Sequence, residues 1–203
     1  MTAVRTLLFD MDGVFCDYDF ALRLANLEAI TGVAAETIDA TIFQSGFEDK
    51  ADLGQFSAAA YMEEVARLLG TEMDAETWLT ARSQAMTPYE EMFELVRELK
   101  RRYPMALLSN NGWLLRQNIS RILPELPEIF GENLYFSAEI GSGKETPACF
   151  GPLLGMLGWQ ASTTLFIDDS PAYIAAAQTA GLQTHLFTQP ENFVTALDTL
   201  GLR

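Results

Sequence analysis

The stretch LLFDMDGV, residues 7–14, decides the fold. Its apolar run, Leu7 to Phe9, ends abruptly in Asp10, Asp12 and Gly13, as a fully buried strand does when it leaves a sheet in acid. In open α/β sheets ligands bind outside the carboxyl ends of the strands, so Asp10 is predicted to stand at such an edge. A carboxylate there can serve as metal ligand, base or nucleophile. A second one two residues on can take another role if its surroundings shift its pKa differently. Gly13 lets the chain turn sharply behind them. Taken alone, the segment reads equally well as two aspartates ending a strand in a solvated turn.

Outward from this segment the pattern divides the chain in two. Residues 15–88 are helical in pattern, with Leu22, Ala25, Leu27 and Ile30 early and Tyr61, Val65, Leu68 and Leu69 later. No convincing strand interrupts them, and SGFEDKADLGQFS at 45–57, with two glycines and four charges, reads as a loop. From Thr87-Pro88 onward helices and strands alternate. The strands are predicted at 105–108, 134–136, 164–167 and 184–187, and helices at 113–123, 148–157, 171–180 and 191–200. Such alternation implies a Rossmann-like parallel sheet with helices on both faces. The expected organisation is an α/β core from residues 1–14 and 89–203, with residues 15–88 forming a small helical cap inserted after strand one.

Each later strand also ends in polar residues: Ser109-Asn110-Asn111-Gly112, then Gly141-Ser142-Gly143-Lys144, then Asp168-Asp169-Ser170-Pro171. Singly these are ordinary turns and helix caps, Ser170-Pro171 being a good helix start. GSGK does not make a nucleotide-binding loop, because Ala138 stands where the first Gly belongs and Glu145 replaces the Ser or Thr after Lys. His185, the one histidine, is expected to be a core residue. Parallel strands, however, put all these ends on one edge. Asp10, Asp12, Ser109, Asn110, Lys144, Asp168 and Asp169 can therefore converge although they are far apart in sequence.

Composition narrows the partners. The 203 residues are 49% hydrophobic, enough for a sizeable core. Lys and Arg total 13 against 28 Asp and Glu, a net charge of −15, which repels nucleic acid backbones. A small phosphate substrate is compatible with that field only if a local cation or metal overcomes it. The two cysteines, Cys16 and Cys149, and the lack of a leader-like segment point to a reducing, cytoplasmic setting. No apolar run approaches the roughly 18 residues of a membrane span. Oligomeric state leaves no mark in the sequence.

The four strand-end motifs, LLFDMDGV at 7–14, LLSNNG at 107–112, Lys144 in GSGKETPACF at 141–150 and LFIDDSP at 165–171, occur in the order of the haloacid dehalogenase-like hydrolase superfamily. The chain resembles that family over essentially its whole length. The helical insertion looks like the small helical cap of the subgroup that includes phosphoglycolate phosphatase, β-phosphoglucomutase and the sugar-phosphate phosphatases. SNNG with a Lys loop and a double Asp is most similar to glucose-1-phosphate phosphatase-like members. One departure is Glu145, which stands after the Lys where the family has Pro; Pro here is at 147.

The resemblance implies a magnesium-dependent phosphatase acting on a small phosphorylated metabolite, a sugar phosphate or short organic phosphate. Phosphate monoesters need accelerations of up to about 10²¹, close to 30 kcal/mol of barrier, so several effects must combine. By resemblance Asp10 is the nucleophile that forms an aspartyl-phosphate, and Asp12 the acid and base. Mg2+ is held by Asp10, the Asp12 carbonyl and Asp168, with Asp169 close by; Ser109, Asn110 and Lys144 hold the phosphoryl oxygens. A phosphomutase shares all these residues and is the alternative. A haloacid dehalogenase has no use for Asp12 or a metal pair, and a non-catalytic module would not need every motif residue. Candidate cap contacts are Asp17, Tyr18, Phe43, Gln44, Phe47 and Trp78.

Overall fold

The computed structural model describes residues 2–203. Strand β1 (Thr6–Phe9) leads through a tight turn into β2 (Cys16–Tyr18). Five helices follow: α1 (Phe20–Thr31), α2 (Ala35–Ile38), α3 (Phe47–Asp52), α4 (Ala58–Leu69) and α5 (Ala75–Ser83), with a π-helical turn at Asp39–Phe43. Strand β3 (Met86–Pro88) closes this block by pairing antiparallel with β2, Cys16 opposite Pro88 and Tyr18 opposite Met86. The remainder alternates: α6 (Glu90–Leu99), β4 (Met105–Ser109), α7 (Trp113–Ile122), α8 (Glu125–Phe130), β5 (Leu134–Phe136) and α9 (Ser137–Ile140). Then come α10 (Phe150–Leu157), β6 (Thr164–Asp168), α11 (Pro171–Thr179), β7 (Gln183–Leu186) and α12 (Pro190–Leu200).

β1 is central because its side chains are fully buried on both faces, as only the middle of a helix-covered sheet allows. The sheet order is β5-β4-β1-β6-β7 and every neighbouring pair is parallel. Successive strands are laid down first on one side of β1 and then on the other. The chain therefore reverses its winding at β1, and the crevice opens at that strand's carboxyl end. On one face Leu7 and Phe9 pack with α6, α7, α8 and α12. Phe9 meets Phe15, Phe130 and Phe193 at ring centroid distances of 5.7, 5.9 and 5.9 Å. On the other face Leu8 packs with Phe166 and the helices α10 and α11. Emptying one of these aromatic positions costs about 3–5 kcal/mol, so the acid-bearing end of β1 is anchored by a stiff core.

The helical insert is laid over the strand ends, α4 and α5 against α7 and α3 against α9. Its helices are locally specified. Asp19 accepts from Leu22 N at 2.9 Å to start α1, Ser57 accepts from Ala60 N at 3.2 Å to start α4, and Gly32 and Gly70 end those helices in left-handed conformation. The α/β architecture with a helical insert matches the expectation. Local details differ. The insert begins and ends in strands, β2 and β3, which are three residues each and too short for a visible alternation. The expected loop at 45–57 contains α3, whose Phe47 stacks on Tyr61 at 5.2 Å; tertiary burial outweighs its charged composition. His185 is not a core residue but half-buried on the edge strand β7, against Phe193 at 5.4 Å.

Candidate active site

Asp10 is the first residue beyond β1, and its N–H donates to Ile167 O at 2.9 Å, holding it in line with β6. It is only 5% exposed. Lys144, itself buried, places Nζ 2.5 Å from Asp10 Oδ1 and 2.8 Å from Asp168 Oδ2. Asp168 is the last residue of β6; its second oxygen accepts from Ser170 N at 2.8 Å, so one carboxylate both orders the start of α11 and holds the lysine. Asp169 beside it is exposed. Asp10, Asp168 and Asp169 each offer a carboxylate oxygen within 4.8 Å of the others.

One ammonium among three carboxylates leaves negative charge in excess. Burial raises the pKa of Asp10 well above the usual carboxylate range, with Lys144 opposing and Asp168 adding to the rise. Asp169, exposed at its edge, is raised too, by the partial desolvation of its carboxylate against the site first and then by Asp168. Burial works against the charge on Lys144, but Asp10 and Asp168 outweigh it and hold its pKa above the ordinary lysine value. A hard divalent cation is the ligand such an oxygen-rich, over-charged site fits.

The loop after β5 is stapled to the loop after β4. Asn110 Oδ1 accepts from Lys144 N at 3.0 Å while its Nδ2 donates to Glu145 Oε2 at 3.2 Å and to Tyr173 Oη at 3.4 Å. Glu145 is thus turned onto Asn110 and exposed, and Lys144 still reaches Asp10 despite the acidic neighbour. The ring of Tyr173 lies 4.8 Å from the lysine Nζ. Ser109, at the end of β4, is buried with its Oγ 2.8 Å from Asn111 Nδ2.

Asp12 lies across the turn. Its Oδ2 accepts from Arg82 Nη2 at 2.5 Å and from Asn111 Nδ2 at 3.3 Å; its Oδ1 has only the Cys16 thiol, at 3.9 Å. Gly13, at φ 78°, makes the turn possible, and a Cβ there would collide with the Asp169 carboxylate. A cavity of about 290 Å³ connects these groups, bounded by Asp10, Asp12, Ser109, Asn110, Lys144 and Asp169 together with Asp17, Tyr18, Asn111 and Tyr173. Asp168 stands behind it, fully buried. All seven residues singled out in the sequence are therefore brought to one place.

Of the candidate cap residues, Asp17 and Tyr18 line this cavity. Trp78 lines a smaller one, Phe43 and Phe47 pack inside the insert, and Gln44 is exposed, donating to Asp39 at 3.4 Å. Three site residues were not anticipated. Arg82 lies 70 positions from Asp12 on a helix with no motif. Tyr173 is one aromatic in α11, a helix rich in alanine and without a motif of its own. Asn111 was visible inside SNNG, where its place two residues after Ser109 is the only signal.

The haloacid dehalogenase-like hydrolase family model matches residues 4–181. A phosphatase from Mycobacterium tuberculosis is 22% identical over 195 residues, covering 91% of this chain and 87% of its own. Among solved structures, a HAD-like family hydrolase from Porphyromonas gingivalis superposes with a TM-score of 0.83 at 25% identity, covering 98% of each chain. A HAD family enzyme from Bacteroides thetaiotaomicron, in complex with magnesium and inorganic phosphate, superposes with a TM-score of 0.75 at 20% identity, covering 90% of this chain and 93% of that one. Strand ends that gather two further aspartates and a lysine around Asp10, under a family match that spans nearly the whole sheet, place this chain among the haloacid dehalogenase-like hydrolases.

Proposed function

We propose that this hydrolase is a magnesium-dependent phosphatase acting on a small phosphorylated metabolite through an aspartyl-phosphate on Asp10. The observation that carries the reading is the pairing of Asp10 with a second carboxylate, Asp12, across one cavity that Lys144 and Asp169 also line, with Asp168 buried behind it. A dehalogenating site needs neither the second carboxylate nor the acidic triad. The mycobacterial phosphatase and the magnesium and phosphate complex of the Bacteroides enzyme support the same direction.

Asp10, Asp168 and Asp169, with the carbonyl of Asp12, would hold the ion. When bound, magnesium supplies the positive charge that lets an anionic phosphate enter an acidic site. Asp10 attacks phosphorus, forming a new O–P bond as the bond to the leaving oxygen breaks, and Asp12 gives its proton to that oxygen. In the second step Asp12 takes a proton from water as the water oxygen bonds phosphorus and the Asp10–phosphorus bond breaks, releasing inorganic phosphate. Lys144, Ser109 and the Asn110 backbone hold the transferring oxygens; the Asn110 side chain is spent on stapling the lysine loop. The residues 15–88 act as a cap over residues 1–14 and 89–203, with β2 and β3 as the connecting ribbon.

The leaving group leads toward a sugar, as in the glucose-1-phosphate phosphatase-like group. Beyond Asn110 and Tyr173 the catalytic cavity adjoins a second of about 400 Å³ lined by Asp49, Asp52, Ser137 and Glu145. Such acceptors suit the hydroxyls of a polyol and repel a second anionic group. The test is a screen of sugar phosphates and short organic phosphates with and without magnesium. Magnesium-dependent release of inorganic phosphate, lost in Asp10→Asn with the fold intact, is expected. Full turnover in excess EDTA, or an isomeric sugar phosphate as product, would overturn the reading.

A further inference from the structure

Arg82 belongs to α5 of the insert, yet its guanidinium reaches the sheet domain and ends on Asp12. It is 5% exposed, and the burial of a guanidinium is expensive unless its partners are well placed. Its plane lies 4.5 Å over the ring of Tyr18, in β2; the Tyr18 hydroxyl in turn accepts from Arg23 Nη1 at 2.8 Å. Arg23, in α1, is equally buried, and rests over Phe43 and Trp78 at 4.9 and 5.1 Å. Two arginines of the insert therefore clasp a tyrosine of the connecting ribbon, and one of them continues to the carboxylate. Arg82 and Arg23 each keep a buried Nε without a partner and line the same small cavity between insert and sheet domain. Neither guanidinium is satisfied by internal packing alone.

The two oxygens of Asp12 are unequal as a result. Oδ2 is held by Arg82 and Asn111, and Oδ1 has no partner stronger than the Cys16 thiol. We infer that Arg82 is a positioning residue for Asp12: the Arg82–Asp12 contact fixes the carboxylate by Oδ2 and leaves Oδ1 as the oxygen that exchanges the proton with the leaving group. Because Arg82 travels with α5, Asp12 is aligned only while the insert lies over the strand ends. Proton transfer is thereby tied to closure, so a substrate that lets the insert seat is the one whose leaving group is protonated. This inference rests on the phosphatase reading, in which Asp12 is the acid and base.

The test is rapid-quench measurement of phosphoenzyme formation in single turnover, with an alkyl or sugar phosphate and with p-nitrophenyl phosphate, in the unchanged enzyme, Arg82→Met and Arg82→Lys. An alkoxide needs the proton and nitrophenolate does not. Arg82→Met is expected to slow formation from the alkyl phosphate by about 10²-fold, with a loss for the nitrophenyl ester roughly tenfold smaller or less. Arg82→Lys recovers part of the alkyl rate, since an ammonium can still donate to Oδ2. Thermal melting by circular dichroism accompanies each variant; if Arg82→Met does not fold, the same ratio of alkyl to aryl loss is read in Arg82→Lys. Equal slowing with both esters in a folded variant overturns the inference, as does a raised KM with unchanged kcat, or a lysine variant no faster than methionine. An unchanged enzyme that forms no phosphoenzyme from either ester would overturn the phosphatase reading itself, a distinct result.

Discussion

Gly13 and Asp12 carry opposite constraints within one turn. Gly13 must be glycine, since a left-handed conformation costs an L-residue about 1–2 kcal/mol and a Cβ would strike Asp169. Gly13→Ala is accordingly expected to lower the melting temperature and, by displacing Asp169, to weaken magnesium binding in calorimetry. A variant that binds the ion as tightly as the parent would show that the carboxylate has room to move. Asp12, by contrast, is spatially tolerant and chemically demanding, because asparagine fits the same space and lacks the proton. Asp12→Asn should slow sugar phosphate hydrolysis by roughly 10²–10⁴. With p-nitrophenyl phosphate the first step needs less help, so the aspartyl-phosphate should build up and appear as added phosphate in intact mass. Wild-type turnover of an alkyl phosphate by Asp12→Asn would end the acid–base assignment.

Elements differ in how firmly the core holds them. β1, β4 and β6 are fully buried, whereas β7 is an edge strand whose residues are at best half-buried. His185 on β7 has a pKa lowered from the usual 6.5 by burial, Asn192 opposing, and its Nε2 is unpartnered. The folded state resists the proton that the unfolded chain accepts. The stability His185 contributes is therefore complete above pH 6.5 and lost as pH falls through the lowered folded value. As the chain has one histidine, His185→Gln should reduce the drop in urea midpoint between pH 7 and pH 5 relative to the parent. An identical drop in both proteins would place the acid sensitivity in the carboxylates. The ribbon of β2 and β3 is the other thin element, joined to the sheet domain by Tyr89 N to Phe15 O at 2.9 Å and to the insert by Asp19 N to Ala85 O at 2.9 Å.

At the scale of the whole molecule, a net charge of −15 surrounds a site that already holds more carboxylates than cations. Neutralising that excess should stabilise the fold. A ligand at 100 times its Kd adds about 2.7 kcal/mol, and about 2–4 °C accompanies each kcal/mol in a chain of this size, so saturating magnesium should raise Tm by roughly 5–10 °C. Asp168→Asn should erase most of that shift, as the residue lies behind the cavity and holds Lys144 in place. A shift of the same size in Asp168→Asn would move the ion elsewhere.

Leu7 to Phe9 ending in Asp10, and the regular exchange of strand and helix after residue 88, are local patterns, and they were sufficient for the parallel sheet. Parallel strands end on one edge, so the polar ends at Ser109, Lys144 and Asp168 were bound to approach Asp10 once the sheet formed. The same patterns carried no trace of β2, β3 or α3, whose three to six residues are too short for a period and are held by pairing and by the Phe47–Tyr61 stack. Nor did they reveal that Asn110 staples the lysine loop, or that Arg82 ends on Asp12 from 70 residues away. A periodic backbone writes itself into neighbouring residues. A long side chain crossing between two packed units depends on where both units settle, and only the tertiary structure decides that.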